Sequence, residues 1–154
     1  MELPDDPGAL AILRAAGLRV TSPRIAVLDA LRNHPHATAD TLAVQARQAL
    51  GSVSTQAVYD VLSVCTDAGL VRRIEPAGSA ARYETRTGDN HHHLVCRDCG
   101  AVADVDCALP PAPCLTPSDD QGFVIDEAEV VFWGYCSTCL HLSTTQEPAE
   151  ENRL

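Results

Sequence analysis

The chain has 154 residues, of which 45% are apolar, and a formal net charge of −10. The apolar content is sufficient for a buried core, but no apolar run reaches the length of about 18 residues that a membrane span requires. The acidic N-terminus lacks the basic flank and apolar stretch of a signal peptide. We therefore expect a cytoplasmic protein whose seven cysteines remain reduced.

The charge is distributed unevenly along the chain. Residues 1–83 contain eight arginines and eight acidic residues, whereas residues 84–154 contain three arginines and thirteen acidic residues. No lysine is present, and the planar guanidinium of arginine suits phosphate. The arginines of the first half are compatible with nucleic-acid binding or with an ordinary solvated surface. The net negative charge of the whole chain mildly opposes DNA binding.

Residues 7–70 have the capping residues and the apolar spacing of four successive helices. Each predicted helix begins at a proline or at a serine or threonine cap, and each ends near a glycine or before a proline. The predicted limits are Pro7 and Gly17, Thr21 and Pro35, Thr38 and Gly51, and Ser54 and Ala68.

Two short strands, residues 70–74 and 81–85, flank a turn-rich segment and predict a hairpin after the fourth helix. Helices followed by a two-stranded hairpin indicate a winged helix-turn-helix domain, in which the fourth helix is the recognition helix and the hairpin is the wing. The alternative is a helical bundle without a nucleic-acid role. The predicted DNA contacts are Thr55, Gln56 and Tyr59, with Arg19, Arg24 and Arg82 as phosphate anchors.

A second domain is predicted after residues 84–90, which contain Gly88 and are expected to form a hinge from the first domain, residues 1–83. This second domain, residues 91–142, has four strand-like stretches: 92–96, 101–105, 122–126 and 129–135. A proline-rich loop, residues 109–117, separates the second stretch from the third. A small sheet with exposed edges favours pairing with a second copy of the chain. Residues 143–154 are polar and acidic and are predicted to be a disordered tail.

Two Cys-x-x-Cys pairs, Cys96/Cys99 and Cys136/Cys139, are separated by 36 residues. One such pair alone could be a redox motif, but two favour a structural zinc site, because four thiolates complete a tetrahedral shell. The binding energy of a structural zinc ion is folding energy, which a sheet with a thin core needs.

A histidine run, His91 to His93, precedes the first cysteine pair. On a strand, His91 and His93 face one way and His92 faces the other. With Asp104 on the following strand, Glu84 in the hinge and an N-terminal histidine, they form a nitrogen and oxygen donor set that suits Fe(II), Mn(II), Co(II) or Zn(II). The alternative is that the run is a solvated loop or supplies an extra ligand to the structural zinc.

Six stretches along the chain carry a family resemblance: AGLRVTSPR (16–24), VY (58–59), DAGLV (67–71), RYE (82–84), HHHLVCRDCG (91–100) and GYCSTC (134–139). Their combination resembles the Fur (ferric uptake regulator) family over roughly residues 10–140, and looks most like its actinobacterial FurA/CatR branch. The resemblance implies an α+β protein with an N-terminal winged helix-turn-helix domain and a C-terminal α/β dimerisation domain that holds structural zinc.

The resemblance also implies a homodimeric repressor of double-stranded operator DNA, with no small-molecule substrate, that controls a catalase-peroxidase gene and its own operon. Its regulatory metal would be Fe(II) or Mn(II), with Zn(II) as an alternative. The implied ligands are His36, Glu84, His91, His93 and Asp104, and His34 is a near alternative to His36.

The signal that releases the repressor is predicted to be peroxide. In peroxide-sensing members of the family, Fe(II) at the regulatory site reacts with peroxide and a ligand histidine is oxidised, and the matching positions are His36 and His91. Cys107 and Cys114 are candidate redox thiols, although they could also be two ordinary thiols. We expect ligand oxidation to dominate over thiol oxidation. The alternative is an iron- or zinc-responsive repressor without peroxide sensing.

Many members of the family have a further sensory metal site, and two of its positions are occupied here by Asn90 and Ala128. We therefore expect that site to be absent or weak, which leaves His92 without a role. A catalytic metal centre is disfavoured, because no phosphate loop, nucleophile elbow or HExxH motif accompanies the donor set. A zinc-ribbon interaction module without DNA binding is a third class of function, but the predicted wing and the arginines of the first half argue against it.

Overall fold

A computed structural model describes residues 7–108 and 114–144 of the chain. These residues form two compact units, one ending at Asp89 and the other beginning at Asn90. Most of the predicted proline-rich loop (residues 109–113) and of the predicted tail (residues 145–154) lies outside the described residues. Within the described ranges, no helix has both the length and the apolar content needed to cross a membrane.

The first unit contains four helices, three of which begin at a side chain that caps them. The hydroxyls of Thr21, Thr38 and Ser54 each accept a hydrogen bond from a backbone N–H of the first turn that follows. The helices are α1 (Ala9–Ala15), α2 (Ser22–Asn33), α3 (Ala39–Leu50) and α4 (Thr55–Asp67).

Aliphatic side chains from all four helices form the core of this unit. Leu13, Leu31 and Leu42 are fully buried, and so is Cys65 on the inner face of α4. Burial raises the pKa of the Cys65 thiol. This cysteine is therefore a neutral residue of the core.

Three short strands complete the first unit: β1 (Ala37–Thr38), β2 (Arg72–Ile74) and β3 (Arg82–Glu84). They form an antiparallel sheet in the order β1-β3-β2. The hairpin of β2 and β3 after α4 confirms the predicted winged helix-turn-helix. The strand β1 was not predicted, because two residues are too few to show a period.

The second unit is a three-stranded mixed sheet followed by one helix, which confirms the predicted α/β character of this half. Its elements are β4 (His91–Cys96), β5 (Val102–Asp106), β6 (Val131–Gly134) and α5 (Ser137–Thr144). The central strand β4 pairs antiparallel with β5 and parallel with β6. This register sets His93 opposite Asp104 and ends β4 at Cys96.

The predicted strand at residues 122–126 is wrong. Gln121 and Gly122 both have positive φ angles, and the carboxylates of Asp119 and Asp120 accept hydrogen bonds from the amides of this turn. The chain leaves the turn without pairing, and Val124 is 99% exposed. The apolar residues here resemble a strand in sequence, but no partner strand lies beside them among the described residues.

The helix α5 was missed, and it includes residues 143 and 144, which were predicted to belong to the disordered tail. It begins immediately after Cys136, and the amide of Leu140 donates to the carbonyl of Cys136. The second Cys-x-x-Cys pair therefore spans the start of this helix, with Cys136 directly before it and Cys139 in its first turn. The sequence analysis interpreted the spacing of this pair only as a metal-binding signal.

Candidate metal centres and nucleic-acid interface

The four cysteines of the two Cys-x-x-Cys pairs converge at the end of β4. One sulfur from each lies within 4.8 Å of all the others. The Sγ atoms of Cys99 and Cys136 are 3.7 Å apart, close to the tetrahedral edge of about 3.8 Å that Zn–S bonds of about 2.3 Å produce. Donor type, number and spacing all fit a structural zinc ion.

The protonation of these thiols is unequal, as expected for sulfurs crowded together. The backbone N–H of Cys136 donates to Cys96 Sγ at 3.3 Å. This bond, followed by one from the amide of Cys99, lowers the pKa of Cys96 to about 6. The pKa of Cys139 is raised, because it shares a hydrogen bond with the Cys136 sulfur and is buried. Because negative charges this close repel one another, the four thiols cannot all ionise without a cation between them. A metal ion supplies that positive charge and displaces the remaining thiol protons.

In the first unit, His36 and Glu84 form a buried pair, with His36 Nε2 3.1 Å from Glu84 Oε2. The other carboxylate oxygen of Glu84 lies 3.9 Å from Arg72 Nε. His36 is fixed from both sides, because its amide donates to the Tyr83 carbonyl and its own carbonyl accepts from Arg82.

The backbone of His36 has φ = 63°, in the left-handed region. This conformation costs a non-glycine residue about 1–3 kcal/mol and is typical of functional positions. The neighbouring His34 is exposed. The first unit therefore presents His36, rather than His34, together with Glu84.

In the second unit, the strand alternation places His91 and His93 on one face of the sheet, with ring centroids 4.9 Å apart. Their Nε2 atoms lie 3.7 Å and 3.6 Å from the same Asp104 oxygen. Metal bonds of about 2.1 Å would give donor separations of about 3.0–3.4 Å, so contraction by a few tenths of an ångström would close the shell. Both imidazoles are buried, whereas the Asp104 side chain is 28% exposed.

The outer face of α4 carries the predicted DNA contacts. Gln56 and Tyr59 are exposed, and the Gln56 amide donates to Asp60 at 2.9 Å. This bond gives the Asp60 carboxylate a partner on its own helix. The Thr55 hydroxyl is half-buried and accepts from Arg47 at 2.9 Å, which fixes the start of the helix.

The three arginines predicted to contact phosphate differ in their surroundings. Arg19 is exposed, and its carbonyl accepts a hydrogen bond from Arg24 at 2.7 Å. Arg82 donates to the His36 carbonyl at 3.1 Å and so supports the loop that presents that histidine. Arg73, which the sequence analysis did not select, lines the same groove as Tyr59.

The two candidate redox thiols lie close to His92 on the other face of the sheet. Cys107 follows β5 directly, and Cys114 Sγ is 3.2 Å from His92 Nε2. The sequence analysis linked neither thiol to His92. The only available signal was the opposite facing of His92 within the histidine run.

Comparison with known proteins identifies the family. Residues 15–129 match the group described as FUR, the ferric uptake regulator family. The chain is 63% identical over 127 residues to the transcriptional regulator FurA of Mycobacterium tuberculosis, covering 82% of this chain and 86% of that protein. The chain belongs to the ferric uptake regulator family. The predicted family, and its actinobacterial FurA branch, are thereby confirmed.

Two further relatives bear on the fold and the signal. The structure of the Vibrio cholerae ferric uptake regulator has 29% identity and a TM-score of 0.60, covering 81% of this chain and 97% of that one. The peroxide-responsive repressor PerR of Staphylococcus aureus is 34% identical over 97 residues, or 62% of this chain and 65% of that protein. As a Fur-family member, the chain is a DNA-binding, metal-responsive transcriptional regulator and not an enzyme.

Proposed function

We propose that this Fur-family regulator is a metal-dependent, peroxide-responsive repressor that binds operator DNA in the cytoplasm as a homodimer. The observation that carries the proposal is the convergence of two buried imidazoles, His91 and His93, on the carboxylate of Asp104. Buried polar groups need partners, and a divalent cation satisfies two neutral imidazoles and a carboxylate together.

A structural role for zinc is supported by the all-cysteine donor set of Cys96, Cys99, Cys136 and Cys139. Four thiolates leave no coordination position for a reactant, so this ion would stabilise the second unit and take no part in sensing. Each sulfur replaced removes a quarter of the shell.

The regulatory ion would take ligands from both units. Resemblance to the family assigns to it His36 and Glu84 of the first unit and His91, His93 and Asp104 of the second, with Fe(II) or Mn(II) as the metal and Zn(II) as an alternative. A ligand shifts a conformational equilibrium only through its different affinity for the two states. An ion that requires donors from both units has that difference, because a form that separates the donors cannot complete the shell.

DNA binding is assigned to α4 and the wing of the first unit. Thr55, Gln56 and Tyr59 stand at the start and on the outer face of α4, where a recognition helix contacts base edges and phosphates. Arg19, Arg24 and Arg82 are assigned to phosphate. Arg82 would do so while also holding the His36 loop, so its replacement should affect DNA and metal together.

Dimerisation is assigned to the second unit, because its apolar side chains are unusually exposed. Leu94 and Phe132 are paired neighbours on β4 and β6 and are 46% and 48% exposed, and Tyr135 is 59% exposed. Exposed apolar side chains grouped on one sheet are typical of a surface that pairs with another chain.

Peroxide is assigned as the signal, with a catalase-peroxidase gene and the regulator's own operon as targets. The similarity to a protein named as a peroxide-responsive repressor supports the signal. In the iron-loaded form we expect oxidation at His36 and His91, since both are assigned to the regulatory metal, and a secondary contribution from Cys107 and Cys114.

The test is anaerobic binding of the zinc-loaded protein to its own upstream DNA, measured by fluorescence anisotropy with Fe(II) or Mn(II) and then with peroxide. We expect either metal to permit binding and peroxide to abolish it only in the iron form. Binding that survives peroxide in the iron form would indicate an iron-responsive repressor, and binding without any added metal would contradict the metal-dependent mechanism.

The Cys107→Ser/Cys114→Ser double variant is the matched control for the route of oxidation. Peroxide should still release its iron form from DNA, because the assigned metal ligands are intact. Loss of the peroxide response in this variant would make thiol oxidation the dominant route.

A further inference from the structure

A cluster of three potential metal ligands lies on the sheet face opposite His91 and His93. Single donor atoms from His92, Cys107 and Cys114 lie within 4.8 Å of one another. We propose that these three residues form a third metal site, with an imidazole and two thiolates, that binds a thiophilic divalent cation such as Zn(II).

The geometry fits such an ion. Bonds of about 2.3 Å to sulfur and about 2.0 Å to nitrogen give tetrahedral donor separations of about 3.5–3.8 Å. The Cys114 Sγ to His92 Nε2 distance of 3.2 Å is a few tenths shorter, and 4.8 Å bounds the other two separations. An imidazole with two thiolates suits zinc, and three protein ligands leave a fourth position for water.

The environment of His92 provides the second observation. His92 is buried, with only 7% of the residue exposed, and its Nδ1 atom has no hydrogen-bond partner among the described residues. The Nε2 atom is the one that faces Cys114. An ion bound there would leave Nδ1 to carry the proton of the neutral ring, which is the tautomer in which Nε2 is available as a metal ligand. The Phe132 ring lies edge-on to the imidazole, with centroids 6.3 Å apart, and restricts its rotation.

The donor set differs from the one assigned to the regulatory metal. That set contains only nitrogen and oxygen, whereas two of the three donors here are sulfur, so the two sites prefer different metals. Binding would displace two thiol protons and convert Cys107 and Cys114 to bound thiolates. It would also give His92 a role. The sequence analysis found none for it, because two positions of the family's further metal site are not ligands in this chain.

The same face carries Leu94, which is two residues beyond His92 on β4, and its neighbour Phe132 on β6. A metal bound by His92 would therefore fix the sheet next to the exposed apolar side chains assigned to dimerisation. The site itself rests only on the three residues and is independent of the proposed regulatory metal and of peroxide sensing.

Cobalt spectroscopy tests this site separately from the other two. Protein whose four-cysteine site is filled with zinc is titrated anaerobically with Co(II), and the near-ultraviolet thiolate-to-cobalt absorption is recorded. Cobalt at the regulatory ligands gives no such band, because none of them is sulfur. We expect the wild type to develop the band, with an intensity that corresponds to one thiolate-bound cobalt ion per chain.

The variants are His92→Ala, the double variant Cys107→Ser/Cys114→Ser, and Cys65→Ala as a thiol control from the core of the first unit. The double variant should lose the band, His92→Ala should bind cobalt at least about tenfold more weakly, and Cys65→Ala should match the wild type. Zinc counted by elemental analysis should fall by one equivalent per chain in the double variant.

A wild type without the band, or equal zinc content in all four proteins, would overturn the proposal. Retention of one zinc ion in each variant shows that the four-cysteine site has formed, which separates loss of the new site from misfolding. A band that persists in His92→Ala with unchanged affinity would also overturn it, because a pair of thiols alone would then account for the binding.

Discussion

The two units of this chain differ in what occupies their interior. The buried side chains of the first are almost entirely aliphatic and come from four helices and the sheet. Among the described residues of the second, those that are buried are Val95, two cysteines and the three histidines of β4. Apolar burial stabilises a domain by itself, whereas buried imidazoles and thiols stabilise one only when their donor atoms are satisfied. The first unit is therefore an ordinary folded domain, and the second depends on what its donors bind.

The exposed surfaces show the same contrast. The first unit exposes few large apolar side chains, and one of them, Tyr59, faces outward from α4. The second exposes Phe123, Phe132, Leu140 and Leu142, each by about half or more. A sheet of three strands has too little interior to cover these residues. Metal ions and a second copy of the chain are the two means of stabilisation that its composition offers.

Replacing Cys136 by alanine should have the largest effect. Structural zinc contributes about 10–16 kcal/mol to the folding of small zinc domains, so the second unit should unfold while the helices of the first unit remain. The only tryptophan, Trp133, lies on β6 and reports the second unit. Its emission should shift to that of a solvated indole, while helical circular dichroism is largely retained. Cys65→Ala should leave both the zinc content and the Trp133 emission unchanged.

Replacing Leu31 by alanine should destabilise the first unit and leave the second unit unaffected. Leu31 is fully buried in the first unit, and removal of such a side chain costs about 2–5 kcal/mol. In urea unfolding without regulatory metal, the helical transition should move to lower denaturant, while the Trp133 transition stays in place. An equal displacement of both transitions would show that the units unfold together.

The pair His36→Ala and His34→Ala separates the buried histidine from the exposed one. Removing a ligand from a shell should weaken metal binding by at least about tenfold, since loss of groups that only support a ligand costs 10–100-fold. The Mn(II) concentration for half-maximal DNA binding should rise by that factor in His36→Ala and stay unchanged in His34→Ala. The opposite order would transfer the role to His34.

The smallest expected effect concerns the start of α4. The Ser54 hydroxyl accepts from the Ala57 amide at 3.0 Å, and loss of such a cap costs about 1 kcal/mol. The free energy of unfolding of the first unit should fall by that amount in Ser54→Ala. The exposed Ser52 is the matched control, with an expected change within about 0.5 kcal/mol. Equal free energies of unfolding for both variants would show that the Ser54 hydroxyl does not stabilise the helix.

The helices of the first unit could be predicted to within a residue or two because their limits are local. Thr21, Thr38 and Ser54 cap them through hydrogen bonds within a few residues. The wing was predictable for the same reason, since turn residues separate its strands. The family resemblance then predicted a transcriptional regulator, and the comparisons with known proteins confirm that prediction.

The parts that could not be predicted depend on distant contacts. The sequence at residues 122–126 is compatible with a strand, and it is irregular because no strand of the described part of the chain pairs with it. The pairing of β1 with Tyr83 and Arg82 joins residues more than forty positions apart. The proximity of His92 to Cys114 depends on how the chain returns to the sheet, which composition and spacing do not encode.

The central claim is that apolar burial stabilises the first unit and bound metal stabilises the second. The most direct measurement is urea unfolding of the intact wild type, before and after zinc is removed by a strong chelator, with Trp133 emission and helical circular dichroism recorded together. The account predicts that chelation abolishes the Trp133 transition and leaves the helical transition nearly unchanged. A Trp133 transition that survives complete removal of zinc would contradict it.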